Sequence, residues 1–281
     1  MRTSSALHRY SLLTAGATFL LLIAGGLVTS TDSGLAVPDW PLSYGTWFPP
    51  MVGGIRFEHG HRLIAGAVGL LILALAVWLR LAEPRPWVRR LGYSALAAVV
   101  MQGLLGGLTV LWLLPPKVSV AHACLGSAVF CLTVSLALCT SPSWPERASR
   151  YEDAGVPSLR MLGVAVAVLA ASQLLLGAML RHTSRGLLWH VTGAIFLAVA
   201  VGWLVRQLHI ATTAPRVCLR MGRRLAWLVA LQWLLGLLAL WRREHVLIVT
   251  AHVGLGALVL AQAVVLAWQA CRMTRATGSG T

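Results

Sequence analysis

Residues 119–140 read SVAHACLGSAVFCLTVSLALCT. The stretch carries no formal charge and one histidine near its start. About 20 apolar residues of helix cross the ~30 Å hydrocarbon core of a bilayer. Inside hydrocarbon each backbone polar group needs a partner within its own segment, so the run is predicted to be a helix. Comparable runs lie near 11–30, 60–80, 91–113, 160–181, 187–206, 224–241 and 246–270, giving eight predicted spans. The composition agrees: 58% of the 281 residues are hydrophobic and 11% charged. A soluble surface carries about 25% charged residues, so a soluble domain is excluded.

The formal net charge is +15, and the basic residues fall between the apolar runs. They therefore read as topology signals and lipid contacts rather than as a nucleic-acid surface. Arginines crowd the connections 80–90, 141–160 and 206–224 and both ends of the chain. The positive-inside rule places these segments and both termini in the cytoplasm. Compact size and the lack of a targeting peptide point to a bacterial inner membrane, with the first apolar run retained as a span. The cysteines Cys124, Cys131, Cys139, Cys218 and Cys271 form no CxxC motif and read as packing residues.

Working outward, the opening stretch has a relative. AHACLG (121–126) matches AHVGLG (251–256), and QGLLG (102–106) matches QWLLG (232–236), both at an offset of 130 residues. QLLLG (173–177) is a third version, and GGLVTSTDSGL (25–35) resembles GAMLRHTSRGL (177–187). The expected architecture is all-α: two tandem four-helix bundles related by internal duplication. The expected division is an N-terminal half 1–140, a cytoplasmic linker 141–159 and a C-terminal half 160–281. The outer loop 31–57, rich in Pro, Gly and Trp, is too long for a mere connector. It is expected either to serve function or to rest its tryptophans at the headgroup level.

Four of the nine histidines open the even-numbered spans: His61, His122, His190 and His252. The topology puts all four at the outer ends of their helices. Haem iron takes an axial imidazole on each face, and a four-helix bundle can offer two from facing helices. One pair per bundle would give two haem sites. The plainer alternative is interhelical hydrogen bonding, which a single intramembrane histidine often provides. Gly126, Gly193 and Gly256 follow three of the ligands by three or four residues and are expected to admit the flat macrocycle. His59 is expected to point away from His61, and His8, His182, His209 and His245 to be solvated.

Glu58-His-Gly-His61-Arg62 places Glu58, His61 and Arg62 on one helix face. Glu58 reads as a catalytic carboxylate beside the haem of His61, or as an N-terminal acid paired with Arg62. Arg62 is a candidate for binding the haem, together with Arg56, Arg181 and Arg185.

These residues resemble haem A synthase, a membrane enzyme family. The resemblance covers nearly the whole chain. Gly34-Leu-Ala-Val-Pro38-Asp39-Trp40-Pro41 is similar to the family's SGL-x-x-PDWP stretch, Glu58-x-x-His61-Arg62 to its E-x-x-HR motif, and Arg181-His182-Thr183 is also family-like. The resemblance implies an oxidoreductase that converts a methyl group of haem O to the formyl group of haem A. It implies that His61 and His122 hold the substrate haem, that His190 and His252 hold a haem b relaying electrons, and that Glu58 is the essential acid. A haem O synthase and a terminal oxidase are the partners it suggests. One departure stands out: many members carry a cysteine pair in the first outer loop, and this chain has none there.

Two other classes compete. A di-haem b electron-transfer protein would use the same histidines without modifying haem. A transporter or assembly factor would hold no haem at all.

Overall fold

The computed structural model describes residues 5–142, 144, 151–152, 157–210, 216–242 and 245–275. Its eight helices are α1 (Ser5–Ser30), α2 (Ile55–Ala82), α3 (Pro86–Leu111), α4 (Pro116–Cys139), α5 (Leu159–Thr183), α6 (Leu187–Ile210), α7 (Arg216–Trp241) and α8 (Val246–Met273). Each is long and apolar enough to cross a membrane. The chain is a multi-pass, all-α membrane protein, as its apolar runs predict. Among the described residues the regular extended structure is one two-residue parallel pairing, Tyr151–Glu152 with Thr274–Arg275.

Several helices start earlier than the apolar runs. The span expected near 60–80 begins at Ile55, and the one near 224–241 begins at Arg216. Hydrophobicity marks the part that meets lipid, whereas backbone hydrogen bonding continues into polar residues beyond it. Local chemistry sets other starts. Proline stands in the first turn of α3 and α4, where its missing N–H costs nothing. Ser158 caps α5 by accepting the Met161 N–H at 3.2 Å.

The chain divides into two compact units, the first containing Met1–Pro142 and Leu235–Gly254, the second Ser143–Leu234 and Leu255–Thr281. In the first, α1 packs on α2 and α4, and α3 packs on the same two, closing a four-helix ring. The end away from the long loop is tied by Arg85. It pairs with Glu83 at 2.6 Å and donates to the Cys139 carbonyl at 2.8 Å. In the second unit α5 packs on α6. Gly163 lies against Leu266 and Ala270 of α8, and Gly222 of α7 lies against Leu208 of α6.

Candidate functional site

The four histidines repeat one arrangement. His61, His122 and His252 each stand six residues into their helix and His190 three. Each imidazole lies against a glycine of the preceding helix. A Cβ on Gly25 would meet His61 Cε1 at 3.1 Å, on Gly106 His122 at 3.1 Å, on Gly177 His190 at 3.0 Å and on Gly236 His252 at 3.1 Å. No side chain larger than hydrogen would leave the ring where it is.

His61 on α2 and His122 on α4 share the first four-helix ring. The Leu21 carbonyl lies toward the His61 ring, yet Nδ1 is buried and closes no hydrogen bond. Such a buried nitrogen is costly unless something occupies it. An iron atom with four porphyrin nitrogens needs only two protein ligands, so two imidazoles from one helix ring match the number a haem requires. Among the described residues no three His, Cys, Asp or Glu side chains gather as a metal-ion site. His252 belongs to the first compact unit and His190 to the second.

The glycines after the histidines do something other than expected. A Cβ on Gly126 would meet the Gln102 amide nitrogen at 2.9 Å, one on Gly256 that of Gln232 at 3.2 Å, and one on Gly193 would collide with Gln173 Oε1. They make room for glutamines rather than for a macrocycle. Sequence reading found the Gln-x-x-x-Gly repeat as a sign of symmetry. Its function as a histidine seat needed the register between neighbouring helices.

Glu58 and Arg62 come together as their spacing predicts, at 2.6 Å. Their other contacts run to the loop. Glu58 is 4% exposed, and its second oxygen accepts the Val37 N–H at 2.8 Å. Arg62 donates to the carbonyls of Asp39 at 2.7 Å, Leu42 at 2.8 Å and Val37 at 3.3 Å. His59 is 5% exposed, and its Nδ1 shares a hydrogen bond with Ser43 Oγ at 2.8 Å. One turn of α2 thus grips the stretch 37–43. Asp39 folds the loop from within by accepting the N–H groups of Tyr44 at 2.7 Å and Gly45 at 2.8 Å. The Gly45 bond, helped by that of Tyr44 and opposed by desolvation, holds its carboxyl below the usual range. Trp40 covers Gly107 of α3, where a Cβ would sit 2.8 Å from the indole.

Comparison with known proteins adds a second line. The sequence pattern described as cytochrome oxidase assembly protein matches residues 55–191. A haem A synthase of Symbiobacterium thermophilum is 33% identical over 184 residues, 63% of this chain and 60% of that protein. One of Bacillus licheniformis is 26% identical over 236 residues, 83% of this chain and 74% of its own length. One of an Exiguobacterium species is 40% identical over 97 residues, a third of each chain. The first of these matches therefore spans less than two thirds of the relative's length. The matched region contains Glu58, His61, Arg62, His122 and His190. On these matches, the chain is similar to haem A synthases, and its residues 55–191 match the cytochrome oxidase assembly pattern.

Proposed function

We propose that the chain is a haem A synthase, an oxidoreductase that converts a methyl group of haem O to the formyl group of haem A. The observation that carries the reading is the His61–His122 pair within one helix ring, beneath a loop gripped by the same helix turn that supplies His61. These two imidazoles hold the substrate haem and fix which ring edge meets that turn. His190, seated on Gly177 in the same way, would help hold a haem b, which supplies one-electron chemistry when bound.

Glu58 places an acid one helical turn from His61, where it stabilises positive character developing at the oxidised methyl. Arg62 adds positive charge beside the propionate-bearing haem and, with Glu58, keeps the loop closed against water. Both termini lie in the cytoplasm of a bacterial inner membrane, which puts the site at the opposite face. A haem O synthase upstream and a terminal oxidase downstream are the partners of such an enzyme.

The test is haem extraction with mass identification, from cells that make haem O and lack their own haem A synthase. Expression of the chain is expected to yield haem A or its hydroxylated precursor. Pigment consisting of haem b alone would overturn the proposal in favour of a di-haem electron carrier. Colourless protein would exclude both.

A further inference from the structure

We propose that the tip of the outer loop, residues 47–52, is a lipid anchor that lies in the headgroup–acyl boundary of the bilayer beside α2. From Trp40 to Ile55 the chain reads WPLSYGTWFPPMVGGI, with no charged residue. Within it Trp47 and Phe48 are 65% and 86% exposed, and Met51 and Val52 are exposed as well. Large apolar side chains gathered on one short segment are costly in water and mark a surface that something covers. The two tryptophans of the loop part company here: Trp40 lies on Gly107 of α3, whereas Trp47 stays exposed at the tip.

What covers the tip follows from its place on α2. Met51 Cε lies 4.0 Å from the position of a Cβ on Gly60. Gly60 is five residues beyond Ile55, about 7.5 Å along the helix axis. The loop therefore comes down along the helix rather than standing above it. The flank it meets is the outward one. Arg56, Gly60, Leu63, Ala67 and Leu70 recur at alternate spacings of four and three residues and so share one face. On that face Arg56, Leu63, Ala67 and Leu70 are exposed. Val68, Ile72, Leu75 and Leu79 form the buried face, about 200° away around the helix. In a membrane-spanning helix an exposed apolar face meets lipid, and the tip continues that face at its upper end. Arg56, exposed at the same end, has its guanidinium 4.9 Å from the Phe57 ring centroid and can reach lipid phosphate. A tryptophan beside an outward arginine is the pairing that membrane–water boundaries favour. This continuity with the lipid-facing stripe selects a bilayer over a second protein. The loop is thereby fastened on both flanks of α2: to Glu58 and Arg62 on the inner one, to lipid on the outer one.

The test uses the full chain labelled with fluorotryptophan in vesicles of phosphatidylcholine and phosphatidylglycerol. The fluorine resonance of Trp47 is the one missing from Trp47→Phe, a change mild enough to leave the fold intact. Two broadening agents are compared: a lipid with a nitroxide at the top of its acyl chain, and a water-soluble gadolinium chelate. The Trp47 line is expected to vanish with the nitroxide lipid and to survive the chelate. Loss of the line to the chelate would place the tip in water and overturn the proposal. Survival with both agents would also overturn it, since a protein surface, of a second copy or of another chain, would then cover the tip.

Discussion

The Arg62 guanidinium lies 2.6 Å from the Glu58 carboxylate and also holds the carbonyls of Val37, Asp39 and Leu42. The pair is mostly buried, at 15% and 5% side-chain exposure. It is therefore as much the anchor of the outer loop as a chemical group.

Arg62→Leu is expected to free the loop. Removing one partner of a buried ion pair costs about 3–5 kcal/mol, because the other charge is stranded. Limited proteolysis should cut within residues 31–54, where the wild type resists. Arg62→Lys keeps the charge and loses the fork, so its sensitivity should fall between the two. Equal resistance in all three would show that the loop does not depend on this cation.

Glu58→Gln separates anchoring from chemistry. The amide keeps an acceptor for the Val37 N–H and loses the ion pair. Haem A formation is expected to stop while haem content persists, and the loop becomes more sensitive to protease than wild type but less so than in Arg62→Leu, because Arg62 keeps its three loop carbonyls. If haem A output is unchanged, Glu58 has no part in the oxidation.

His59→Ala should leave both haems bound, since its ring belongs to the loop through Ser43. The loss of one neutral hydrogen bond amounts to about 1 kcal/mol. Loss of a haem absorption band would instead make His59 a ligand.

Asp39 gives the loop an acid limit. The N–H bonds from Gly45 and Tyr44 hold its folded-state carboxyl below the ordinary value of about 3.9. A depressed carboxyl stabilises the fold fully above the unfolded pKa and ceases to do so as pH falls through the folded one. Loop resistance to an acid-active protease is expected to be flat from neutrality to about pH 4 and to fall below it. In Asp39→Asn that acid step should shrink, the remainder coming from protonation of Glu58 in its pair with Arg62.

Gly107→Ala is expected to dislodge Trp40, because the new methyl would sit 2.8 Å from the indole. A red shift and faster quenching of tryptophan emission would report it. Emission indistinguishable from wild type would mean the indole finds another resting place.

The eight spans and the four equivalent histidines were legible in the sequence because each depends on a linear property: apolar length for the one, recurring distance for the other. The pairing of Glu58 with Arg62 was legible because both lie on one helix, where spacing fixes proximity. The glutamine seats and the burial of His59 were not. Both depend on which residue of a neighbouring segment arrives opposite. For Gly126 and Gly193 the neighbour is a glutamine of the preceding helix, and nothing in the local sequence states that register. The early starts of α2 and α7 escaped for another reason, since a hydropathy scan stops where lipid stops.

The loop that this chain folds without sulfur is held by a carboxylate, a guanidinium and an imidazole, and its cysteines lie on α4, α7 and α8 as free thiols. Its shape is therefore indifferent to the reducing power of its surroundings. Mild reductants should leave it intact, and no thiol-oxidising catalyst is needed to mature it. Acidity, and not electron supply, is the condition that opens it.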